Sequence, residues 1–119
     1  MAIPTALLRR FYVDNSLINT DTGFEFQLTN KIAPTTITSL GPLEVDGRIF
    51  APDQILVSSS KVRPASAIND LAPFYLRMGK RMTISVPNAP LQPGEHTIIL
   101  HLLTKEVGAV SIEFTETTP

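Results

Sequence analysis

Prolines and glycines are spread along almost the whole chain, and their spacing limits the secondary structure that the chain can form. Ten prolines and six glycines occur within 119 residues. Because proline removes a helical hydrogen bond and clashes with the preceding turn, helix-length segments free of it are scarce. Strand-length segments between these residues are many. The sequence therefore predicts a protein built from short β-strands.

Three segments alternate between apolar and polar residues, as strands with one solvent-facing side require. They begin near Gly23, Met82 and Val110. The apolar residues of each segment share one parity, so we expect them to face a common core. With alternate residues of the apolar run from Thr97 to Leu103, the predicted core consists of Phe24, Phe26, Leu28, Ile84, Val86, Ile98, Leu100, Leu102, Ile112 and Phe114.

Other local patterns predict how these strands are arranged. The almost continuous apolar run from Thr97 to Leu103 predicts a central strand buried on both faces. Asp46-Gly47 predicts a two-residue hairpin turn, since both positions of a type I′ turn need a positive φ. A second hairpin around Gly79 is predicted to join 74–78 to 82–86.

About eight strand candidates result when Ile55–Val57 and the N-terminal piece Ala6–Val13 are included. Their length and spacing predict an all-β fold, an antiparallel β-sandwich of the jelly-roll or immunoglobulin-like kind. A barrel is the alternative. Since 119 residues suffice for one hydrophobic core, residues 1–119 are predicted to form a single domain.

Charge and composition exclude several classes of partner. Ten basic against eleven acidic residues give a formal net charge of -1, so the basic excess of a nucleic-acid binder is missing. The chain has no cysteine and hence no disulfide or thiolate site. Near the N-terminus the apolar stretch Ile3–Leu8 contains Pro4 and is cut by Arg9 and Arg10, which argues against a secretory or membrane segment. We expect a cytoplasmic protein that binds neither nucleic acid nor membrane.

The residue types that carry chemistry do not form a recognisable catalytic or metal-binding pattern. His96 and His101 are separated by an odd number of residues on one predicted strand, so they should face opposite sides and cannot chelate one metal ion. Glu25 and Glu113 might become neighbours across a sheet, but exposed strand carboxylates usually only solvate a face. We therefore assign no catalytic residue, no metal and no cofactor.

The longest irregular stretch, Lys61–Pro73, is followed by aromatic residues and an arginine. Long loops in compact domains are either functional or cover the core, and both interpretations remain open here. Aromatic and arginine side chains are enriched at the centres of protein interfaces. The predicted interface residues are Arg63, Ile68, Phe74, Tyr75 and Arg77.

Three motifs resemble a known family. They are the strand Gly23–Leu28, the hairpin Leu43–Gly47 and the turn Leu91-Gln92-Pro93-Gly94-Glu95-His96. Over about Gly23 to Leu103 the chain is similar to the small β subunits of bacterial C-glycoside deglycosidases. The resemblance implies a β-sandwich beside a larger, metal-dependent barrel subunit that carries the catalytic residues.

The resulting hypothesis is a non-catalytic accessory or structural subunit that binds another protein or associates with itself. A sugar-processing enzyme that cleaves C-glycosides is one candidate for the partner. The alternative is a β-sandwich module that binds a small ligand or carbohydrate. Exposed aromatic residues on one face would favour sugar binding, whereas a broad apolar patch would favour a protein partner.

Overall fold

The computed structural model describes residues 5–118, with side chains from residue 7 onward. Its elements, in chain order, are helix α1 (Thr5–Leu8), a 3-10 turn (Arg9–Phe11), β1 (Ile18–Asn19), β2 (Gly23–Thr29), β3 (Thr35–Val45), β4 (Arg48–Phe50), a 3-10 turn (Pro52–Gln54), β5 (Leu56–Ser58), β6 (Val62–Pro64), a 3-10 turn (Ala65–Ala67), β7 (Phe74–Leu76), β8 (Arg81–Pro87), β9 (Gly94–Thr104) and β10 (Gly108–Thr118).

The strands form two sheets, which confirms the predicted antiparallel β-sandwich. The first sheet has the order β1-β2-β8-β5-β6, and the second has the order β10-β9-β3-β4 with β7 also paired to β3. Every pairing between these strands is antiparallel. The described residues contain ten strands rather than about eight, because the short β1 and β6 are too brief to give an alternating pattern.

One hydrophobic core lies between the two sheets. All ten predicted core residues belong to it, and none is more than 7% exposed. Tyr12 closes one part of this core, where its ring stacks on Phe114 with centroids 3.7 Å apart. The Phe114 ring also meets Phe26 edge to face at 5.1 Å. Such aromatic pairs add to the stabilisation that burial alone supplies.

The Asp46-Gly47 hairpin is confirmed. Asp46 has φ +52° and Gly47 has φ +85°, while Val45 and Arg48 pair on either side of them. Two successive positive φ values are those of a type I′ turn, which matches the twist of the flanking strands. The turn joins β3 to β4.

The hairpin predicted around Gly79 is wrong. β7 pairs with β3 in the second sheet, whereas β8 pairs with β2 and β5 in the first. The buried Asn30 fixes this crossing, because its amide nitrogen donates to the carbonyl of Leu76 at 2.8 Å and its backbone bonds to Gly79 and Lys80. The turn residues around Gly79 thus correctly predicted a reversal of the chain, but they did not identify the strands with which β7 and β8 pair.

The N-terminal strand predicted at Ala6–Val13 is also wrong, since this stretch forms α1 and the following 3-10 turn. Leu8 and Phe11, three residues apart, are both buried against the core. That spacing suits one face of a helical turn, and the turn covers one part of the sandwich. No helix within residues 5–118 has the length and apolar character needed to cross a membrane.

The central position of β9 is confirmed, but its predicted burial on both faces is wrong. β9 pairs with β10 on one side and β3 on the other. Ile98, Leu100 and Leu102 are buried, whereas Ile99 is half-buried and Leu103 is 45% exposed. Only one face of this strand meets the core, so the other presents apolar residues to solvent.

Candidate interaction surface

The residues predicted to form an interface lie together at the edge of the sandwich, but not all of them are accessible. Ile68 and Phe74 are buried within the chain. Tyr75 is 66% exposed, Arg77 is exposed and Arg63 is half-buried. The accessible surface at this place is therefore provided by Arg63, Tyr75 and Arg77.

The segment Lys61–Pro73 is partly ordered by its own contacts and covers the core. Ala65 and Ile68 are buried in the core, and the backbone N–H of Ala65 donates to the carbonyl of Ile55 at 2.8 Å. Beyond them Leu71 is 98% exposed at the loop tip. Covering the core does not exclude a role in binding, so the predicted interface remains a prediction.

Arg63 holds this segment against β7. Its Nη1 and Nη2 atoms donate to the carbonyls of Ala72 and Pro73 at 3.2 and 2.9 Å. Its guanidinium carbon lies 5.4 Å from the centre of the Phe74 ring. Since a guanidinium group has five N–H donors, these contacts leave donors for other acceptors. The side chain is fixed without a carboxylate partner among the described residues.

The solvent side of the second sheet combines apolar and polar residues. Ile49 is 63% exposed on β4, and Tyr75 on β7 and Leu103 on β9 are on the same side of the sheet. We call this side the second outer face. By strand parity it includes Glu44, Ile49, Tyr75, Glu95, Ile99, His101, Leu103, Ser111 and Glu113.

A hydrogen-bonded network lies in the middle of this face. The His101 Nε2 atom is 2.6 Å from Oε2 of Glu44, and its Nδ1 atom is 2.8 Å from the hydroxyl of Ser111. A carboxylate only accepts, so Nε2–H of His101 donates to Glu44, and Nδ1 is joined to the Ser111 hydroxyl, which can donate or accept. Glu44 on β3, His101 on β9 and Ser111 on β10 therefore form one chain of contacts across three neighbouring strands.

The order of these groups matches a proton relay, but their setting does not match acyl-transfer chemistry. A relay serine needs donors aimed at the oxygen that develops charge above it. Backbone N–H groups of a strand lie in the plane of the sheet, whereas the Ser111 hydroxyl stands on its face. The network therefore fixes polar groups at defined places within an apolar surface, which is useful for recognition.

His96 lies on the opposite side of β9 from His101, as predicted from their odd spacing. Its Nδ1 atom is 2.6 Å from Oδ2 of Asp46, and its Nε2 atom is 2.7 Å from the carbonyl of Gln92. Both partners are acceptors, so the arrangement favours the imidazolium form, in which both ring nitrogens donate. The Asp46 carboxylate, and then the Gln92 carbonyl, raise the pKa of His96 above its usual value.

This second histidine connects the β3–β4 turn to the start of β9. The Asp46 Oδ1 atom accepts a hydrogen bond from the backbone N–H of Thr97 at 2.8 Å. That N–H and the His96 ring lower the pKa of Asp46. Because all of these contacts join elements of the fold, His96 and Asp46 serve structure.

The carboxylate pair that might have performed acid–base chemistry is not assembled. Glu25 lies on β2 of the first sheet and Glu113 on β10 of the second, so the two residues belong to different sheets and the prediction that they might be neighbours is wrong. Within residues 5–118 no three side chains of histidine, aspartate or glutamate come together as a metal site requires.

Sequence reasoning missed the network of Glu44, His101 and Ser111. The odd spacing of the histidines placed them on opposite faces of the strand, but the partners of His101 come from other strands. Glu44 is 57 positions from His101. Only the register that pairs Ser111 with His101 and Glu44 with Ile99 brings the three residues together.

Fold and surface together define an antiparallel β-sandwich domain whose second sheet presents exposed apolar residues on its outer face. The chain belongs to the family described as "Hydroxymethylglutaryl-CoA reductase, N-terminal domain", whose model matches residues 7–118. This is a different family from the small β subunits of C-glycoside deglycosidases, which the sequence motifs resemble. No curated protein matches the chain.

Among solved structures, the chain is similar to a family 123 glycoside hydrolase from Clostridium perfringens that is described in connection with glycolipid glycan hydrolysis. The TM-score is 0.34 and the sequence identity is 12%. The similarity covers 80% of this chain but only 20% of the hydrolase, so the chain spans about a fifth of that protein's length.

Proposed function

We propose that this chain is a non-catalytic accessory domain that binds another protein through the second outer face. The observation that carries the proposal is that Ile49, Tyr75 and Leu103, all large and well exposed, lie on one sheet face together with the half-buried Ile99. Sheet faces that remain in water usually carry polar residues, so several large exposed apolar residues on one face favour a protein-binding site.

The dimensions of the face suit a stable interface. The domain measures 36 × 28 × 25 Å, and β3, β9 and β10 each run for eleven residues. One broad side therefore offers on the order of 1,000 Å², against the roughly 800 Å² per partner that a standard interface buries. The central hydrogen-bonded residues Glu44, His101 and Ser111 would supply specificity within that area.

The charges on this face favour a different protein over a second copy of this chain. By strand parity, Glu44, Glu95 and Glu113 point outward, and no lysine or arginine shares the outward positions of β3, β9 and β10. Face-to-face pairing of two copies would bring like charges together, which opposes association. We infer a partner whose apolar surface is rimmed by lysine or arginine.

Two arguments support a catalytic protein as that partner. The family description names one domain of a reductase, which fits a role beside a catalytic unit. The resemblance to C-glycoside deglycosidase small subunits implies the same arrangement with a sugar-processing enzyme. In either case the residues of this domain contact the partner rather than the substrate.

The test uses photo-crosslinking from two matched positions in cells that produce the protein. A photoreactive residue replaces Leu103 on the second outer face or, as control, Thr83 on the solvent side of the first sheet. A partner captured from position 103 alone is then purified, and its Kd is measured with the unmodified chain, Leu103→Asp and Thr83→Asp. We expect Leu103→Asp to weaken binding by about tenfold or more.

The outcomes are distinct. The proposal is supported if Leu103→Asp loses affinity for the partner and Thr83→Asp keeps it. Both variants must unfold at the same denaturant concentration as the unmodified chain. Equal effects of both variants, or equal crosslinking from both positions, contradict it. If the partner is an enzyme, His101→Ala in the assembled complex must leave kcat unchanged, because a change in kcat would indicate a catalytic role for the network.

A further inference from the structure

We propose that the hollow between the β5–β6 turn and β7 binds a small molecule that carries a phosphate group. The hollow has a volume of about 340 Å³. Its lining includes three basic side chains, two serines and an exposed aromatic ring, namely Lys61, Arg63, Arg77, Ser59, Ser60 and Tyr75. The hollow shares Tyr75 with the second outer face, but the proposed protein-binding role does not depend on the three basic side chains.

The hollow concentrates positive charge in a chain whose net charge is -1. None of Lys61, Arg63 and Arg77 forms an ion pair with an acidic residue in the part of the chain that the structure describes. Three cations without carboxylate partners around one depression attract a group with two negative charges more strongly than a group with one. A phosphate monoester fits this requirement better than a carboxylate.

Arg63 is already oriented for such a ligand. Its two hydrogen bonds to the carbonyls of Ala72 and Pro73, together with the Phe74 ring beneath it, hold the guanidinium plane in place. The free N–H donors of that plane match the geometry of phosphate oxygens. Because the side chain is ordered before binding, little conformational entropy is lost when the ligand arrives.

The serines and Tyr75 indicate the shape of the ligand. Ser59 and Ser60 lie in the turn between β5 and β6, and their hydroxyls have no hydrogen-bond partner within the described chain, so they are available to phosphate oxygens. The exposed Tyr75 ring forms an apolar wall of the same hollow. A phosphate joined to a flat or apolar body would use both kinds of surface.

An acidic residue, Glu106, lies beside the hollow but does not line it. Glu106 lines a separate depression, which shares Tyr75 and Arg77 with the first one. Its carboxylate accepts the backbone N–H of Thr36 at 2.8 Å, a contact that lowers the pKa of Glu106. Glu106 is thus ionised and held by β3. Among the described residues it forms no ion pair with Lys61, Arg63 or Arg77.

The experiment measures binding of phenyl phosphate, inorganic phosphate and phenol to the isolated chain by titration calorimetry. We expect phenyl phosphate to bind most tightly and phenol not to bind. Lys61→Gln and Arg77→Gln should each weaken phenyl phosphate by about tenfold, as loss of a charge-assisted contact implies. Lys80→Gln removes the same charge from a neighbouring exposed position outside the hollow, and it should change the Kd by less than about twofold.

Two further variants separate the parts of the site. Arg63→Lys keeps the charge but loses the forked geometry, so it should weaken phosphate binding while thermal unfolding shows that the domain remains folded. Tyr75→Leu should weaken phenyl phosphate but not inorganic phosphate. The proposal is overturned if neither phosphate binds at millimolar concentration, or if Lys80→Gln reduces binding as much as Arg77→Gln does. Either result leaves the crosslinking test at Leu103 unaffected.

Discussion

The solvent sides of the two sheets differ although both sheets contribute to the same core. On the first sheet, Glu25 pairs with Ser85 and Gln27 with Thr83, so its long strands are polar outside, and the exposed Ile18 and Val62 lie on the short edge strands β1 and β6. On the second sheet the corresponding positions include Ile49, Ile99 and Leu103. A sheet face that remains in water is expected to be polar, so the second face indicates a surface that is covered when the protein functions.

The difference is sharpest within a single strand. Leu100 and Leu103 both belong to β9, but Leu100 is fully buried and Leu103 is 45% exposed. If the second outer face contributes to binding rather than to folding, Leu100→Ala should destabilise the isolated domain by about 2–5 kcal/mol and Leu103→Ala by under about 1 kcal/mol. Urea denaturation of both variants checks this. Similar losses would mean that the second outer face is needed for folding, and the contrast between the sheets would then disappear.

The inner sides of β2, β8 and β10 were predictable from the sequence, and the neighbours of each strand were not. The alternation of apolar and polar residues in β2, β8 and β10 identified their buried residues, because successive side chains of a strand point to opposite faces. Pairing of β7 with β3 depends instead on Asn30, whose buried amide bonds to the backbone of a distant strand. The network around His101 likewise requires the register of three strands.

The run from Thr97 to Leu103 was misread for a related reason. Continuous apolar sequence is typical of a strand buried on both faces, and it cannot distinguish burial within one chain from a face left apolar in solvent. In the interface prediction, the loop composition located Arg63, Tyr75 and Arg77 at the surface. It did not show that Ile68 and Phe74 are buried beneath them.

A second comparison within β9 concerns its two histidines and the dependence of stability on pH. The pKa of His96 is raised in the folded state, so its stabilising effect is complete below the unfolded value of about 6.5 and is lost as the pH rises through the folded pKa. The pKa of Asp46 is lowered, so its effect is present above about 3.9 and is lost as the pH falls through the folded pKa. The pair is therefore most stabilising between about pH 4 and 6.5.

We expect the urea midpoint of the unmodified chain to fall as the pH is raised from about 6 to 8. His96→Gln should be less stable at pH 6 and should lose most of this dependence, because no imidazolium then contacts Asp46. His101→Gln serves as the matched control from the outer side of the same strand. If the urea midpoint still depends on pH in His96→Gln but not in His101→Gln, the stabilising role belongs to His101 and the assignment to His96 is wrong.

A smaller effect is expected from the hydroxyl in the network on the second outer face. Ser111→Ala removes the 2.8 Å contact with His101, but the site is partly exposed and water can replace the lost partner. We expect a loss of about 0.5–1.5 kcal/mol in the free energy of unfolding. Chemical denaturation near pH 7 measures this loss. A loss as large as that of Leu100→Ala would show that the network stabilises the fold rather than only shaping the surface.

The smallest effect is expected on the first sheet, with the opposite sign. Thr29 lies at the end of β2, where it pairs with Arg81, and its hydroxyl is buried without a hydrogen-bond partner. Thr29→Val replaces that hydroxyl with a methyl group of similar shape and keeps the β-branched side chain that suits a strand. Because a buried polar atom without a partner costs free energy, the variant should be as stable as the unmodified chain or more stable by up to about 1 kcal/mol. Denaturation alongside Ser111→Ala compares a hydroxyl without a partner on one sheet with a partnered hydroxyl on the other. A destabilised Thr29→Val would mean that the Thr29 hydroxyl is hydrogen-bonded to water. The hydroxyls of Thr29 and Ser111 would then both have partners, and the two sheets would not differ in this respect.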